Sequence, residues 1–410
     1  MVQYLYAGYS LDDDQPTAGH RELVRAWRTT VLQIAREEMG HLATVQNLLT
    51  LIGGPLCFER EDYPIVDADL WPFPLRLEPL TKDSLAKYVL AEMPSEDVLA
   101  KLGLTAEVDA IRHRVHADRE IVHRVGILYG DLLKLFSEGP MVQGPFVPGT
   151  IEPYPFVATV DIQADTLPYQ VAASAWGLGQ HDVLIRTSTD RKTALAALTA
   201  VSEQGEGPIT PDGDDKSLRT KVEASHFYRF LEIYRAFPES SEWSPARPVA
   251  VDPTTNRKIA HDRVIRGEAH AWATLANLRY RMLLAYLEHS FYIEAPSAHP
   301  TRSPRGALVS WAFGEMYQLR ALSEILMALP LAPGSKWMAG PPFEMPYTLS
   351  LPPRSVDRWR LHRDLLCASL KQVDAMCAAG GSHPRHARYL RALHASDTTA
   401  LDQIQVLIGV

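Results

Sequence analysis

Two Glu-x-x-His segments carry the side chains best suited to metal chemistry: Glu38-x-x-His41 and Glu223-x-x-His226. Residues three apart in a helix lie on one face, so each carboxylate and imidazole could reach one ion. Two such pairs, with a single Glu from each of two further helices, form the ligand set of carboxylate-bridged dimetal bundles. Carboxylate and imidazole ligands suit iron or manganese, and zinc can also bind them.

The first pair interrupts an apolar stripe on a helix predicted over residues 20–52, which Gly-Gly-Pro ends at 53–55. Steps of three and four residues keep the stripe on one inward face. Its members are Val24, Trp27, Val31, Ile34, Glu38, His41, Val45, Leu48 and Ile52. A carboxylate there costs several kcal/mol unless it is paired or bound to a cation. The alternatives are a buried Glu–His hydrogen bond or an exposed turn, since the neighbouring Glu37 is expected to be solvated.

The second pair lies on a helix predicted over residues 216–237. It again falls on the apolar stripe, which consists of Glu223, His226, Phe230, Ile233 and Phe237. The Glu-x-x-His motif arises often by chance, so the position of both pairs on inward stripes supports a metal site more strongly than the motif does.

Other candidate ligands are weaker. The helix predicted over residues 105–136 carries Asp118 on its apolar stripe, with Glu120 and His123 to one side. Its many His and Arg residues also fit a solvated face.

Two glutamates, Glu203 and Glu206, close the helix predicted over residues 190–204. Acids at a helix C-terminus oppose the helix dipole, so their presence there needs a reason. A metal ion or an Arg partner would supply one, and simple exposure is the alternative.

The remaining pattern indicates an all-α protein with long irregular connections. Further helices are predicted over residues 82–92, 264–293, 304–329, 355–379 and 385–407, and a strand over 157–162. We expect a metal-binding bundle over residues 1–237 and a Pro-rich connector over 238–262. Residues 263–410 should form a C-terminal helical domain that packs on the bundle.

Composition narrows the class. The chain has 410 residues, of which 46% are hydrophobic and 22% charged, as in globular proteins. A net charge of −8 argues against nucleic acid as a partner, and no apolar run is long enough to cross a membrane. The N-terminus lacks signal-peptide features. The three cysteines are far apart, which favours the reducing cytoplasm and buried apolar roles for them.

Several blocks resemble one family, the iminophenylpyruvate dimer synthase domain of violacein and indolocarbazole pathways. The blocks are EEMGHLATVQNLLTLIGGP (37–55), EQGEG (203–207) and SHFYRFLEI (225–233), with weaker likeness at 1–11, 123–132, 278–288 and 339–344. The resemblance implies a ferritin-like four-helix bundle with an additional C-terminal helical region. It also implies iron as the cofactor, one or two ions, with manganese as the alternative.

The resemblance implies metal ligands residue by residue. Glu38, His41, Glu206 and His226 match the family's metal positions, and Glu223 fits the same helix. Two family glutamates are missing: one from the first helix, upstream of Met1, and one from the third, where Ile127 stands. These two absences count against a full dimetal centre, whereas one metal ion held by Glu38, His41, Glu206 or Glu223, and His226 is feasible.

The resulting expectation is a non-haem iron oxidoreductase that acts on an amino-acid-derived small molecule in secondary metabolism. Tyr228 and Arg229 could orient the substrate, and a homodimer or a pathway-enzyme partner is expected. The alternative is a degenerate ferritin-like binding or scaffold protein without a catalytic metal. Iron storage is the weakest option, because it would require assembly into a cage.

Overall fold

The structure is a computed structural model. It describes residues 1–66, 71–116, 125–137, 163–173, 183–208, 210–211, 214–239, 243–258, 262–294, 303–346, 348–380 and 383–408. These residues form thirteen α-helices, one short 3-10 helix (Ala164–Tyr169) and isolated β-bridges, without a strand. The predicted all-α class is therefore confirmed. Within this part of the chain, no helix has both the length and the apolar character of a membrane span.

The helices are numbered in chain order. They are α1 (Val2–Ser10), α2 (Ala18–Leu51), α3 (Lys82–Ala91), α4 (Glu96–Leu102), α5 (Thr105–Arg114), α6 (Val125–Phe136), α7 (Arg191–Gly205), α8 (Asp215–Ala224), α9 (His226–Ala236), α10 (Glu268–Ser290), α11 (Pro304–Leu326), α12 (Ser355–Ala379) and α13 (Pro384–Ile408).

The chain divides into two compact units. The first includes Met1–Leu56, Pro64–Ala173 and Gln180–Ala246, and it contains α1 to α9. The second includes Cys57–Tyr63 and Arg247–Val410, with α10 to α13. The domain boundaries expected from the sequence stay a prediction.

Helix α2 is the long helix that the apolar stripe predicts. The Thr17 side chain caps its start by accepting a hydrogen bond from the His20 backbone N–H at 3.1 Å. Beyond its end, Gly53 has a φ of 71°, which glycine adopts without a steric penalty. The first half of the stripe is buried, at Val24, Trp27, Val31 and Ile34. This burial fixes the rotation of α2 and turns Glu38 and His41 toward the same interior.

The core of the first unit lies among α1, α2, α3, α5 and α9. Large side chains fill it, including Tyr4, Trp27, Tyr88, Phe227, Phe230 and Phe237. Helix α1 approaches α2 closely because Gly8 has no side chain; an added Cβ would lie 2.8 Å from Leu32 Cδ2. Helix α3 packs against α9. These contacts bring the middle of α2, the end of α3 and the start of α9 to one place.

Two helices replace the single helix predicted over residues 216–237. Helix α8 ends at Ala224, and Ser225 has an extended backbone with φ −74° and ψ 163°. The Ser225 hydroxyl accepts a hydrogen bond from the Tyr228 N–H, so this residue caps α9. The break removes the helical spacing that was expected to place Glu223 beside His226.

The single helix predicted over residues 105–136 is also wrong. Helix α5 ends at Arg114, and His116 has a φ of 53°, outside right-handed helical geometry. Helix α6 begins at Val125. Three candidate residues and the expected strand lie outside the described residues: Asp118, Glu120, His123 and residues 157–162.

The helices of the second unit agree closely with the prediction. Their common feature is Arg279 of α10, which is buried and donates to groups on the three other helices. Its Nε lies 2.5 Å from Glu315 Oε2 on α11, and its Nη1 lies 2.7 Å from Asp397 Oδ1 on α13. The same Nη1 donates to Ser369 Oγ on α12 at 3.1 Å. One guanidinium therefore connects all four helices.

All three cysteines are exposed, so the expectation of burial is wrong. Cys367 and Cys377 lie on α12, whose inward stripe contains other residues. That stripe consists of Trp359, His362, Leu366, Ser369, Val373 and Met376, spaced by three and four. Neither cysteine falls on it.

Candidate metal centre

Three side chains from two helices converge in the first unit: Glu38 and His41 from α2, and His226 from the start of α9. Glu38 Oε1 lies 3.1 Å from Nδ1 of His41 and 3.1 Å from Nδ1 of His226. One ligand atom from each residue lies within 4.8 Å of the others, and no other such group of three or more occurs in the described part of the chain. Both histidines are buried, whereas the Glu38 side chain remains 23% exposed.

An outer acceptor holds each imidazole. His226 Nε2 lies 2.9 Å from Glu37 Oε2, and His41 Nε2 lies 2.8 Å from Gln204 Oε1. If Nε2 carries the hydrogen of each ring, the lone pair is on Nδ1, and both Nδ1 atoms face Glu38 Oε1. Metal-binding histidines commonly donate their other ring N–H to such an acceptor, which fixes the tautomer and the ring orientation.

The Nδ1 atom of His226 tests whether a metal ion fits. It is buried and makes no hydrogen bond, although Glu38 Oε1 lies 3.1 Å away and Glu92 Oε2 3.7 Å away. A buried polar atom without a hydrogen bond costs about 1–3 kcal/mol. A metal ion on the nitrogen lone pair would remove that cost. Carboxylates and imidazoles in this arrangement fit divalent iron or manganese, and also zinc.

Glu92 faces the same cluster, although the sequence patterns did not single it out. It follows α3 as its C-terminal cap and is buried. Its Oε2 faces His226, and its Oε1 accepts a hydrogen bond from the Tyr4 hydroxyl at 2.5 Å. A signal was present, because Leu85, Val89 and Glu92 follow the spacing of an inward helix stripe.

Glu37 is buried, so the expectation of a solvated side chain is wrong. Its Oε2 accepts from His226 Nε2 and, at 2.6 Å, from Arg229 Nη1, while Gln33 Nε2 donates to Oε1 at 3.0 Å. Burial raises the pKa of Glu37, but the His226 hydrogen bond and the Arg229 guanidinium outweigh it and lower that pKa. Arg229, which was expected to orient substrate, thus supports the residue that holds His226.

In this cluster, the carboxylates and the imidazoles stabilise opposite charges on one another. Burial raises the pKa of Glu38, but His41 and His226 hold that pKa well below its usual value. Burial lowers the pKa of His226, but the carboxylates of Glu37, Glu38 and Glu92 raise it well above the usual value. The carboxylates therefore stabilise positive charge at this position, whether a proton or a metal ion carries it.

The other two predicted ligands differ in their placement. Glu206 is buried at the end of α7, and burial together with the charges of Glu38, Glu206 and Glu92 raises the pKa of Tyr129. Glu206 is not one of the three converging residues, and its role as a ligand stays a prediction. Glu223 is exposed on α8, so the expectation that it faces the core is wrong; the break before α9 is the physical reason.

Glu203, the neighbouring acid on α7, lies apart from the cluster. Its Oε1 is 3.1 Å from the Lys221 Nζ, and both side chains are partly exposed. Of the three explanations open for an acid at this helix end, a metal ion, an Arg partner or exposure, the structure shows partial exposure, with a lysine as the partner. This surface ion pair explains Glu203 without a metal.

Two curated proteins are similar to this chain over most of its length. Dichlorochromopyrrolate synthase of Lentzea aerocolonigenes is 26% identical over 399 residues, which cover 87% of this chain and 35% of the relative. The 2-imino-3-(indol-3-yl)propanoate dimerase of Chromobacterium violaceum is 26% identical over 408 residues, which cover 93% of this chain and 36% of the relative. The chain thus spans about a third of the length of these curated relatives. No solved structure matches it.

These relatives confirm the resemblance inferred from the motifs. The model of the ferritin-like family matches residues 1–235, more than half of the chain, and this range includes all three converging residues. By this match, and with its all-α fold, the chain belongs to the ferritin-like family.

Proposed function

We propose that the chain is a non-haem iron oxidoreductase that binds its metal through Glu38, His41 and His226, with Glu92 as a further ligand. The observation that carries this proposal is the paired arrangement of the two imidazoles. Each has Nδ1 directed at Glu38 Oε1 and Nε2 held by an outer acceptor. Manganese is the alternative metal, since it accepts the same ligands.

The proposed substrate is an amino-acid-derived small molecule of secondary metabolism. One relative is named for the synthesis of dichlorochromopyrrolate, and the other for dimerisation of an indole-bearing imino acid. The alignments cover nearly all of this chain but about a third of either relative. An indole-bearing imino acid is therefore the first substrate to test.

The residues of the cluster would each have a separate task. A bound iron ion would supply redox or Lewis-acid chemistry. Glu37 and Gln204 hold the two imidazoles in one tautomer and orientation. Glu38 is the one of the three ligands that reaches solvent, so substrate would approach from its side.

A degenerate site without metal is the second candidate. The cluster can offset most of its own negative charge, because Arg229 pairs with Glu37, and a protonated His226 would lie between Glu37 and Glu38. Such a protein would keep the fold and act in binding or as a scaffold. The two candidates differ in one measurable property, the metal content.

Metal analysis of protein purified without chelator distinguishes them. We expect stoichiometric iron in the wild type and its loss in Glu38→Gln, which keeps the side-chain shape but removes a charged ligand. Glu223→Gln is the matched control, because the same change is made at an exposed position. A folded wild type that stays metal-free and gains no stability from added Fe²⁺ would overturn the metal proposal.

The proposed chemistry needs its own assay. Iron-loaded protein would be incubated aerobically with 2-imino-3-(indol-3-yl)propanoate, and the products followed by mass spectrometry. We expect oxidised or coupled product with the wild type and Glu223→Gln, and none with Glu38→Gln. Equal product from all three proteins would show that this site does not perform the reaction.

A further inference from the structure

We infer that Tyr4 is a positioning residue of the metal site proposed above: by holding Oε1 of Glu92, it leaves Oε2 as that residue's one metal-binding atom and limits the centre to a single ion. The proposal rests on that metal site and adds a residue from α1, which none of the sequence motifs includes. It concerns the geometry of the site and the number of ions bound there.

The Tyr4 side chain is fixed in the core by its own packing. It is 6% exposed, and its ring lies 4.9 Å from the rings of Tyr88 and Phe230, centroid to centroid. From this position the hydroxyl donates to Glu92 Oε1 at 2.5 Å, a contact between residues 88 apart in the chain. A hydrogen bond to a charged acceptor at this distance is of the strong kind.

Tyr4 fixes one oxygen of the Glu92 carboxylate, and the other oxygen faces His226 without a hydrogen bond to it. Tyr4 engages Oε1, and Oε2 lies 3.7 Å from His226 Nδ1. The backbone of α7 closes the other side, since a Cβ on Gly205 would lie 3.3 Å from Oε2. The carboxylate therefore has little freedom to rotate both oxygens toward the histidines.

Two carboxylate oxygens of this network then remain to bind a metal ion beside the two imidazoles. Glu37 already accepts hydrogen bonds on both oxygens, from Gln33, His226 and Arg229. Among the described groups in this network, Glu38 Oε1 and Glu92 Oε2 remain beside the two Nδ1 atoms. These two oxygens and the two Nδ1 atoms make one four-coordinate set, which fits one ion; a second ion would need ligands beyond these four described atoms.

The test uses Co²⁺ as the probe, because its visible absorption reports ligand geometry. Metal-free full-length protein would be titrated for the number of ions bound, their Kd and the absorption band. We expect one ion per chain in the wild type. Tyr4→Phe should weaken Kd by about ten- to a hundredfold, as loss of an outer hydrogen bond to a metal ligand typically does, and should shift the band.

Tyr88→Phe is the matched control. Its ring packs in the same cluster, but its hydroxyl donates to the Gln3 carbonyl at 3.4 Å rather than to Glu92. Both variants lose one hydroxyl from this cluster, and Tyr4→Phe should lose more metal-free stability because its hydrogen bond reaches a charged acceptor. Only Tyr4→Phe should change Kd and the band. If Tyr4→Phe fails to fold, 3-fluorotyrosine at position 4, which keeps the ring and makes the hydroxyl a stronger donor, should shift the band, and an unchanged band would overturn the role of Tyr4.

The outcomes separate this proposal from the one on which it rests. A folded wild type that binds no Co²⁺ would remove the metal site itself. A wild type that binds Co²⁺ with the same Kd and band as Tyr4→Phe would leave the metal site standing and overturn the role of Tyr4. Two ions bound per wild-type chain would overturn the limit to one.

Discussion

Replacing Glu37 with Gln changes one charge without changing the shape of the side chain. Glu37 is not a ligand in the proposed centre; it accepts hydrogen bonds from His226 and Arg229 on one oxygen, at 2.9 and 2.6 Å. A glutamine could still accept from His226 through its amide oxygen. The variant therefore tests whether the negative charge behind His226 matters to metal binding.

The expected size follows from these contacts. Mutation of a residue that holds a metal-binding histidine from outside the ligand set typically weakens metal affinity by about ten- to a hundredfold, which is about 1.4–2.8 kcal/mol. Arg229 also loses its charged acceptor, and a hydrogen bond to a charged group contributes about 1.5–3 kcal/mol. Glu37→Gln should therefore lower both the metal affinity and the metal-free stability.

Isothermal titration with Fe²⁺ under anaerobic conditions measures the affinity, and chemical denaturation of the metal-free protein measures the stability. Glu223→Gln, at its exposed site on α8, should match the wild type in both. An unchanged Fe²⁺ affinity in Glu37→Gln would refute the idea that the negative charge behind His226 strengthens metal binding. Circular dichroism of each variant would show whether a lost affinity reflects a lost fold.

Two other predictions concern pH and close packing. Burial raises the pKa of Glu288 to about 7 from the ordinary 4.5, so ionisation favours the unfolded chain between these values. Relative to Glu288→Gln, the wild type should lose ~3 kcal/mol of unfolding free energy as the pH rises through this window. The same pH dependence of the unfolding free energy in both proteins would contradict this. A Cβ on Gly40 would lie 2.6 Å from the Leu184 carbonyl oxygen, so Gly40→Ala should lower the melting temperature and weaken metal binding. A Cβ on Gly314 would meet nothing within 4 Å in the described structure, so Gly314→Ala should raise the unfolding free energy by about 0.5–1 kcal/mol. Equal melting temperatures for Gly40→Ala and Gly314→Ala would refute the packing argument.

The sequence was most informative where a helix buries one regular stripe. The stripe of α2 placed Glu38 and His41 correctly because nine positions follow one spacing. Glu37 was misplaced because α2 is buried on more than that stripe near the site; Gly40, Thr44 and Asn47 are buried as well. A one-stripe pattern cannot predict a helix that is covered on two sides.

The remaining misses have local and tertiary causes. The apolar spacing continues through residues 222–233, so it did not reveal that Ser225 ends one helix and caps the next. The stripe of α3 includes Glu92, but its place at the site depends on its contacts with Tyr4 of α1 and His226 of α9. Such contacts depend on how helices pack, and the pattern of one helix carries little information about them.

The Arg279 contacts in the second unit have a consequence for how this sequence can diverge. Loss of Arg279 alone would leave Glu315 and Asp397 without their cation. Loss of either acid would remove one of the charged acceptors of the Arg279 guanidinium. Removing one member of a buried charged group typically costs about 3–5 kcal/mol, whereas exchanging the whole group for apolar residues can be neutral. These positions should therefore change together across relatives, and an apolar residue at 279 should be accompanied by uncharged residues at 315 and 397.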